Sequence, residues 1–191
     1  MSDREQNEPI VVHLPPQEQM LQAVGRGIQV FATVELCLAI LFASLMEPAP
    51  RELSVVALDA AGPLRTKLKI VESVADRRLA GTEREQARSI LKQIEQQAAV
   101  RNKLAHWTVS HWRGASSAED LKRVVVALVP PPASLKHGPV VWEPESSNLK
   151  PLFAADLDRF FAECNELIPA LVTLSNKIAP PQGQPASQNP V

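Results

Sequence analysis

Apolar positions from Gln17 onward recur at alternating steps of three and four: Leu21, Val24, Ile28, Phe31, Leu38, Phe42 and Leu45 share one face once position 35 is counted with them. That spacing predicts a long amphipathic helix. The counted position is Glu35, a carboxylate within an otherwise apolar stripe. Pro48 and Pro50 cannot continue the run, so the helix is expected to stop near Glu47. A second stretch begins near Arg51 and is broken or restarted at Gly62-Pro63, with Pro63 suited to a first helical turn. Leu64, Leu68, Val71, Ala75 and Leu79 mark its inward face, and Gly81 is expected to end it. The next helix opens at Thr82, whose spacing to Glu85 fits a capping box, and runs to about His106. Its inner seam reads Ala87, Leu91, Ile94, Ala98, Arg101 and Ala105, and its outer face carries Glu83, Arg84, Arg88 and Lys92.

After Trp107 the pattern changes. Trp107 to Trp112, Arg123 to Val129 and Val140 to Trp142 are β-like runs separated by Pro130-Pro131-Pro132 and Gly138-Pro139, which predicts a small hairpin or meander. A last helix spans roughly Leu152 to Ile178, with Phe153, Leu157, Phe160, Cys164, Leu167, Leu171 and Leu174 inward and Pro169 as a kink. The expected fold is therefore mainly all-α: an antiparallel bundle of four to five helices with a β insertion, about 107–143, before the last helix. The expected organisation is a flexible arm over 1–16, one helical domain over 17–179 and a disordered Pro-rich tail over 180–191.

Charge narrows the partners. Lys plus Arg total 20 against 21 Asp plus Glu, so the chain lacks a global positive field and any nucleic-acid contact must be local. Cys37 and Cys164 lie in apolar helical stretches and read as buried hydrophobes. The polar, acidic N-terminus has no basic segment leading into an early apolar run, and a cytoplasmic protein is expected. Ile28 to Met46 is long and apolar enough to cross a bilayer, but Glu35 in its middle and the absence of Lys/Arg-rich flanks favour a bundle centre or a dimer interface, with no membrane partner.

The candidate chemistry sits in Arg101-Asn102-Lys103-Leu104-Ala105-His106. Residues four apart on a helix are separated by only about 40° of rotation, so Asn102 and His106 share a face. Arg101, about 100° from Asn102, points along the inner seam. A cation where the pattern calls for an apolar side chain must be paired or line a cleft. Glu35 interrupts its own stripe in the same way, so Glu35 and Arg101 are expected to face one polar cavity, either each other or its open space.

The hexapeptide resembles the Arg-x4-6-His motif of HEPN domains, with the polar residue those families favour directly after the arginine. The order of helices resembles HEPN bundles as well, over roughly residues 17–178. The resemblance implies a metal-independent endoribonuclease without cofactor, of toxin, abortive-infection or RNA-processing type. In it His106 acts as general acid or base, Arg101 holds the scissile phosphate and Asn102 sets the ring's tautomer and position; the interrupted stripe of the first helix adds Glu35 as a supporting residue. A two-fold homodimer follows, because cleavage through a 2′-hydroxyl benefits from both a base and an acid. RNA and an antitoxin-like protein are the further partners implied. Trp107, His111 and Trp112 could form a base-stacking rim, or the tryptophans could be the core of the β insertion. Lys67, Lys69, Arg77 and Arg78 read as a solvated face. The alternative is a non-catalytic HEPN-like binding or scaffold module, with Arg101 bridging to Glu35 and His106 capping its helix. No metal site is expected, since His13, His106, His111 and His137 are scattered and neither cysteine belongs to a CxxC pair.

Overall fold

The computed structural model describes residues 16–113, 124–129 and 150–179. In chain order the elements are α1 (Pro16–Leu45), α2 (Arg51–Ala60), α3 (Leu64–Arg78), α4 (Gly81–His106), β1 (Thr108–Arg113), β2 (Val124–Val129) and α5 (Ala154–Ile178). The chain is mainly helical, with a small antiparallel sheet before the last helix, as its hydrophobic periodicity predicts. The expected arm before Pro16, the tail from Pro180 and the β-like run Val140 to Trp142 lie outside the described residues.

α1 is the central helix. It packs against α2, α3, α4, α5 and both strands, with α5 as its most extensive partner. That position accounts for its apolarity: Phe31, Val34, Leu38, Leu41 and Leu45 are fully buried and meet Leu157, Phe160, Leu167 and Leu171 of α5. Phe31 and Phe160 stack with ring centroids 6.2 Å apart. Each such side chain removed from water contributes about 1.5–3 kcal/mol. By length and composition α1 could cross a membrane, yet half of its most apolar window is buried within the fold.

Of the face predicted for α1, Phe31, Leu38, Phe42 and Leu45 are buried and Val24 is half-buried, while the first turns of the helix are rotated from it. Met20, Gly27, Phe31, Val34, Leu38 and Leu41 are buried, whereas Leu21 is 53% and Ile28 39% exposed. The apolar count missed Gly27 because glycine carries no hydrophobic signal, although here it admits neighbouring helices. A Cβ at Gly27 would lie 2.6 Å from Leu104 Cδ1 and 3.4 Å from Phe160.

α4 departs from its predicted seam in the same manner. Ala87, Ile90, Leu91 and Ile94 are buried, but in the last three turns burial passes to Gln97 and Leu104, leaving Ala98 and Arg101 half-buried and Ala105 exposed. Two boundary signals are also corrected. Gly81, at φ 51, opens α4 instead of closing α3, and no side chain caps α4, so the Thr82–Glu85 box is not formed. The α3–α4 corner is held instead by Arg84, whose Nε and Nη2 donate to the Leu79 carbonyl at 2.8 and 2.6 Å.

β1 and β2 pair in the register Thr108↔Val129 to Arg113↔Val124. Leu128 exchanges backbone hydrogen bonds with Leu152 at 2.9 and 3.0 Å, which ties the hairpin to the start of α5. The inward positions predicted for α5 from Leu157 to Leu174 are all buried.

Candidate functional site

The hexapeptide forms the last turn and a half of α4. His106 is the final helical residue, Trp107 closes the helix through its N–H to the Lys103 carbonyl at 2.8 Å, and β1 begins at Thr108. The helix end is fixed from inside by Leu104, 3% exposed in the main core against Gly27. Arg101 and His106, five positions apart, point about 140° away from each other round the axis.

Arg101 and Glu35 line one cleft of about 600 Å³, as their shared interruption of the apolar stripes predicts. Its walls come from α1, α3 and α4, with Leu64, Leu68, Ala98 and Ala99 as the apolar lining and Arg65 and Glu95 as exposed charges at its edge. The cleft lies where α3 begins at Leu64, so the stretch of α4 around Ala98 and Arg101 opposes the first turn of α3 and the Gly62-Pro63 corner. The small side chains Ala98 and Ala99 leave the space open.

Both interior charges are half-buried, yet they do not pair. Among the described residues, no ion pair within 4 Å and no hydrogen bond involves the Glu35 carboxylate. Glu35 follows the fully buried Val34 by one residue and so sits about 100° round α1 from it, on the flank of the buried face. Arg101 Nη1 donates to Asn102 Oδ1 at 3.5 Å, the outer limit of such a bond. Asn102 is thus engaged with Arg101, and among the described residues no hydrogen bond joins it to His106. His106 is exposed and does not line the cleft.

Lys67 was expected on a solvated face. Its side chain is only 16% exposed, lines the cleft and donates to Asp59 Oδ1 at 2.6 Å. The signal available in the sequence was its position one residue before the inward Leu68. The hydrogen bond from Lys67, and then its charge, hold the Asp59 carboxyl below its ordinary range. On the other side of Lys67 and Glu35 a smaller groove of about 350 Å³ runs between α1 and α2, lined by Ala32, Leu36, Val55 and Val56.

Of the proposed stacking rim, Trp107 is half-buried, packs against the core and carries Lys103 Nζ 5.0 Å from its ring centroid. His111 and Trp112 fall within β1, and their side chains are not among those described. Burial, and then the Glu163 charge, push the Cys164 thiol up to about 11, and burial raises Cys37 as well, so neither is poised as a nucleophile. Among the described residues no group of three or more His, Cys, Asp or Glu side chains is placed to hold a metal ion.

No family model, curated protein or solved structure matches this chain.

Proposed function

We propose that the chain is a metal-independent RNA endonuclease of HEPN type that works as a two-fold homodimer. The observation that carries the reading is the placement of the hexapeptide: Arg101 and Asn102 line a cleft while His106 stands exposed at the end of the same helix. A guanidinium half out of water, with no carboxylate neutralising it, is suited to hold a phosphate in bidentate fashion. An exposed imidazole is free to exchange protons.

In the proposed reaction a 2′-hydroxyl gives its proton to a base and attacks the adjacent phosphorus. The 5′-oxygen leaves with a proton from an acid, which yields a 2′,3′-cyclic phosphate and a 5′-hydroxyl. Arg101 stabilises the charge that gathers on the phosphoryl oxygens. One chain supplies one imidazole at this motif and turns it away from its own Arg101, so a second copy is the economical source of the other proton carrier. Leu36, Leu53 and Val56, exposed on α1 and α2 at 57%, 65% and 65%, offer an apolar surface beside the cleft for that copy. A chain with this activity is expected to act in the cytoplasm and to need a neutralising protein partner.

A second reading, a non-catalytic HEPN-like binding module, draws on the divergence of Arg101 and His106 within one chain. Incubating the purified protein with end-labelled RNA in EDTA, followed by analysis of the new termini, separates the two. Cyclic phosphate ends that vanish in His106→Ala support the ribonuclease, and intact RNA at high protein concentration supports the module.

A further inference from the structure

The cleft holds opposite charges that face a common space without meeting. Glu35 enters from α1 and Arg101 from α4; both are half-buried, and no ion pair joins them among the described residues. Removing charged groups partly from water without pairing them is unfavourable, so the arrangement suits a ligand that presents an anion to one and hydrogen-bond donors to the other. The volume, about 600 Å³, is in the range of small-ligand sites, and Leu64, Leu68 and Ala98 add apolar lining beside the charged Arg65, Lys67 and Glu95.

An RNA nucleotide has both features, and its base can be chosen by elimination. An ionised carboxylate only accepts hydrogen bonds. On their Watson–Crick edges adenine and cytosine set an acceptor nitrogen beside the single amino group, and uracil flanks its one N–H with carbonyls. Each would turn a lone pair towards Glu35. Guanine alone offers two adjacent donors, N1–H and the 2-amino group, which match the two carboxylate oxygens. Proteins that recognise single-stranded RNA read unstacked bases along these edges.

We infer that the cleft is a guanine-nucleotide pocket, in which Glu35 accepts from the N1–H and 2-amino edge while Arg101 holds the adjoining phosphate. This rests on the ribonuclease reading and adds its substrate preference: cleavage next to unpaired guanosine. Asn102, beside Arg101 at 3.5 Å, contributes its amide N–H groups to the same phosphate. The acceptor-only character of Glu35 confers the selectivity.

The test is calorimetric titration of the full chain with the 3′-monophosphates of guanosine, adenosine, cytidine and uridine, which needs no turnover. Guanosine 3′-monophosphate is expected to bind about tenfold more tightly than the others, the size of one good paired base contact. Glu35→Gln keeps the shape of the side chain but puts an amide donor against the guanine donors, and should reduce the four affinities to within about twofold of one another. Arg101→Ala should weaken all four alike. Equal binding of the four nucleotides by the unaltered protein, or none at millimolar concentration, would overturn the pocket even if RNA is cleaved. Selective guanosine binding without RNA cleavage would instead sustain the pocket and refute the ribonuclease.

Discussion

Gly27 of α1 and Leu104 of α4 are packed so closely that a Cβ on the glycine would stand 2.6 Å from Leu104 Cδ1. Leu104 belongs to the Arg101–His106 hexapeptide, so the contact sets the height and rotation at which the motif's helix ends. Among the described residues, the side-chain hydrogen bond of the motif is the one from Arg101 to Asn102. Their placement derives from this apolar contact behind them.

Gly27→Val is therefore expected to lower stability by about 1–3 kcal/mol through overpacking, despite the better helix propensity of valine over glycine. Leu104→Ala alone should cost about 2–5 kcal/mol. The double variant should cost clearly less than the sum, because the shortened side chain vacates the space that the valine fills. Urea melts of the four proteins measure the coupling, and strict additivity would show that the two residues do not touch.

His106→Ala should reduce RNA cleavage by about 10²–10⁴-fold, the usual contribution of a positioned proton carrier. Arg101→Ala should fall by about 10²–10³-fold through loss of charge stabilisation. Asn102→Ala should be milder. His106 and Asn102 are exposed, so these changes should leave stability within about 0.5 kcal/mol, and circular dichroism should not move. Cleavage retained in either His106→Ala or Arg101→Ala removes that residue from the mechanism.

Light scattering over a dilution series should give a dimer mass for the full chain at micromolar concentration. Leu36→Glu with Val56→Glu should give a monomer of unchanged helicity, since both side chains are exposed within a single chain. Cleavage should fall with the dimer. Full specific activity in a monomer would eliminate the composite site.

Acid should weaken the fold through two carboxylates. The hydrogen bond from Lys67, followed by its charge, lowers Asp59, and the hydrogen bond from Arg88 lowers Asp76. A carboxylate whose folded pKa is depressed contributes stability above its unfolded pKa, about 3.9, and loses it as the pH falls through the lower folded value. Unfolding free energies should thus drop as the pH falls below about 4, and drop less in Asp59→Asn with Asp76→Asn. Asp59 is exposed and Asp76 partly so, and the difference should shrink in high salt. The same pH slope in the double variant would show that these pairs contribute nothing.

The helices and their order are legible in the sequence because burial along a helix repeats every three to four residues and Pro and Gly punctuate it. The single stripe of α5, from Leu157 to Leu174, is read without error for that reason. The interruption of two apolar stripes by Glu35 and Arg101 was enough to foretell that they line one cleft, since half-buried charges need polar or open surroundings. Only the tertiary structure decided the rotation of the first turns of α1 and the last turns of α4. The first turns of α1, from Gln17 to Gln29, carry few apolar residues, so their periodicity could not select the face of Met20 and Gly27 over that of Leu21 and Ile28. That choice depends on which helices approach, and Gly27 marks the approach by lacking a side chain. Tertiary structure alone likewise left Glu35 and Arg101 unpaired, because ion pairing depends on the spacing between helices, and no pattern along a single helix encodes that distance.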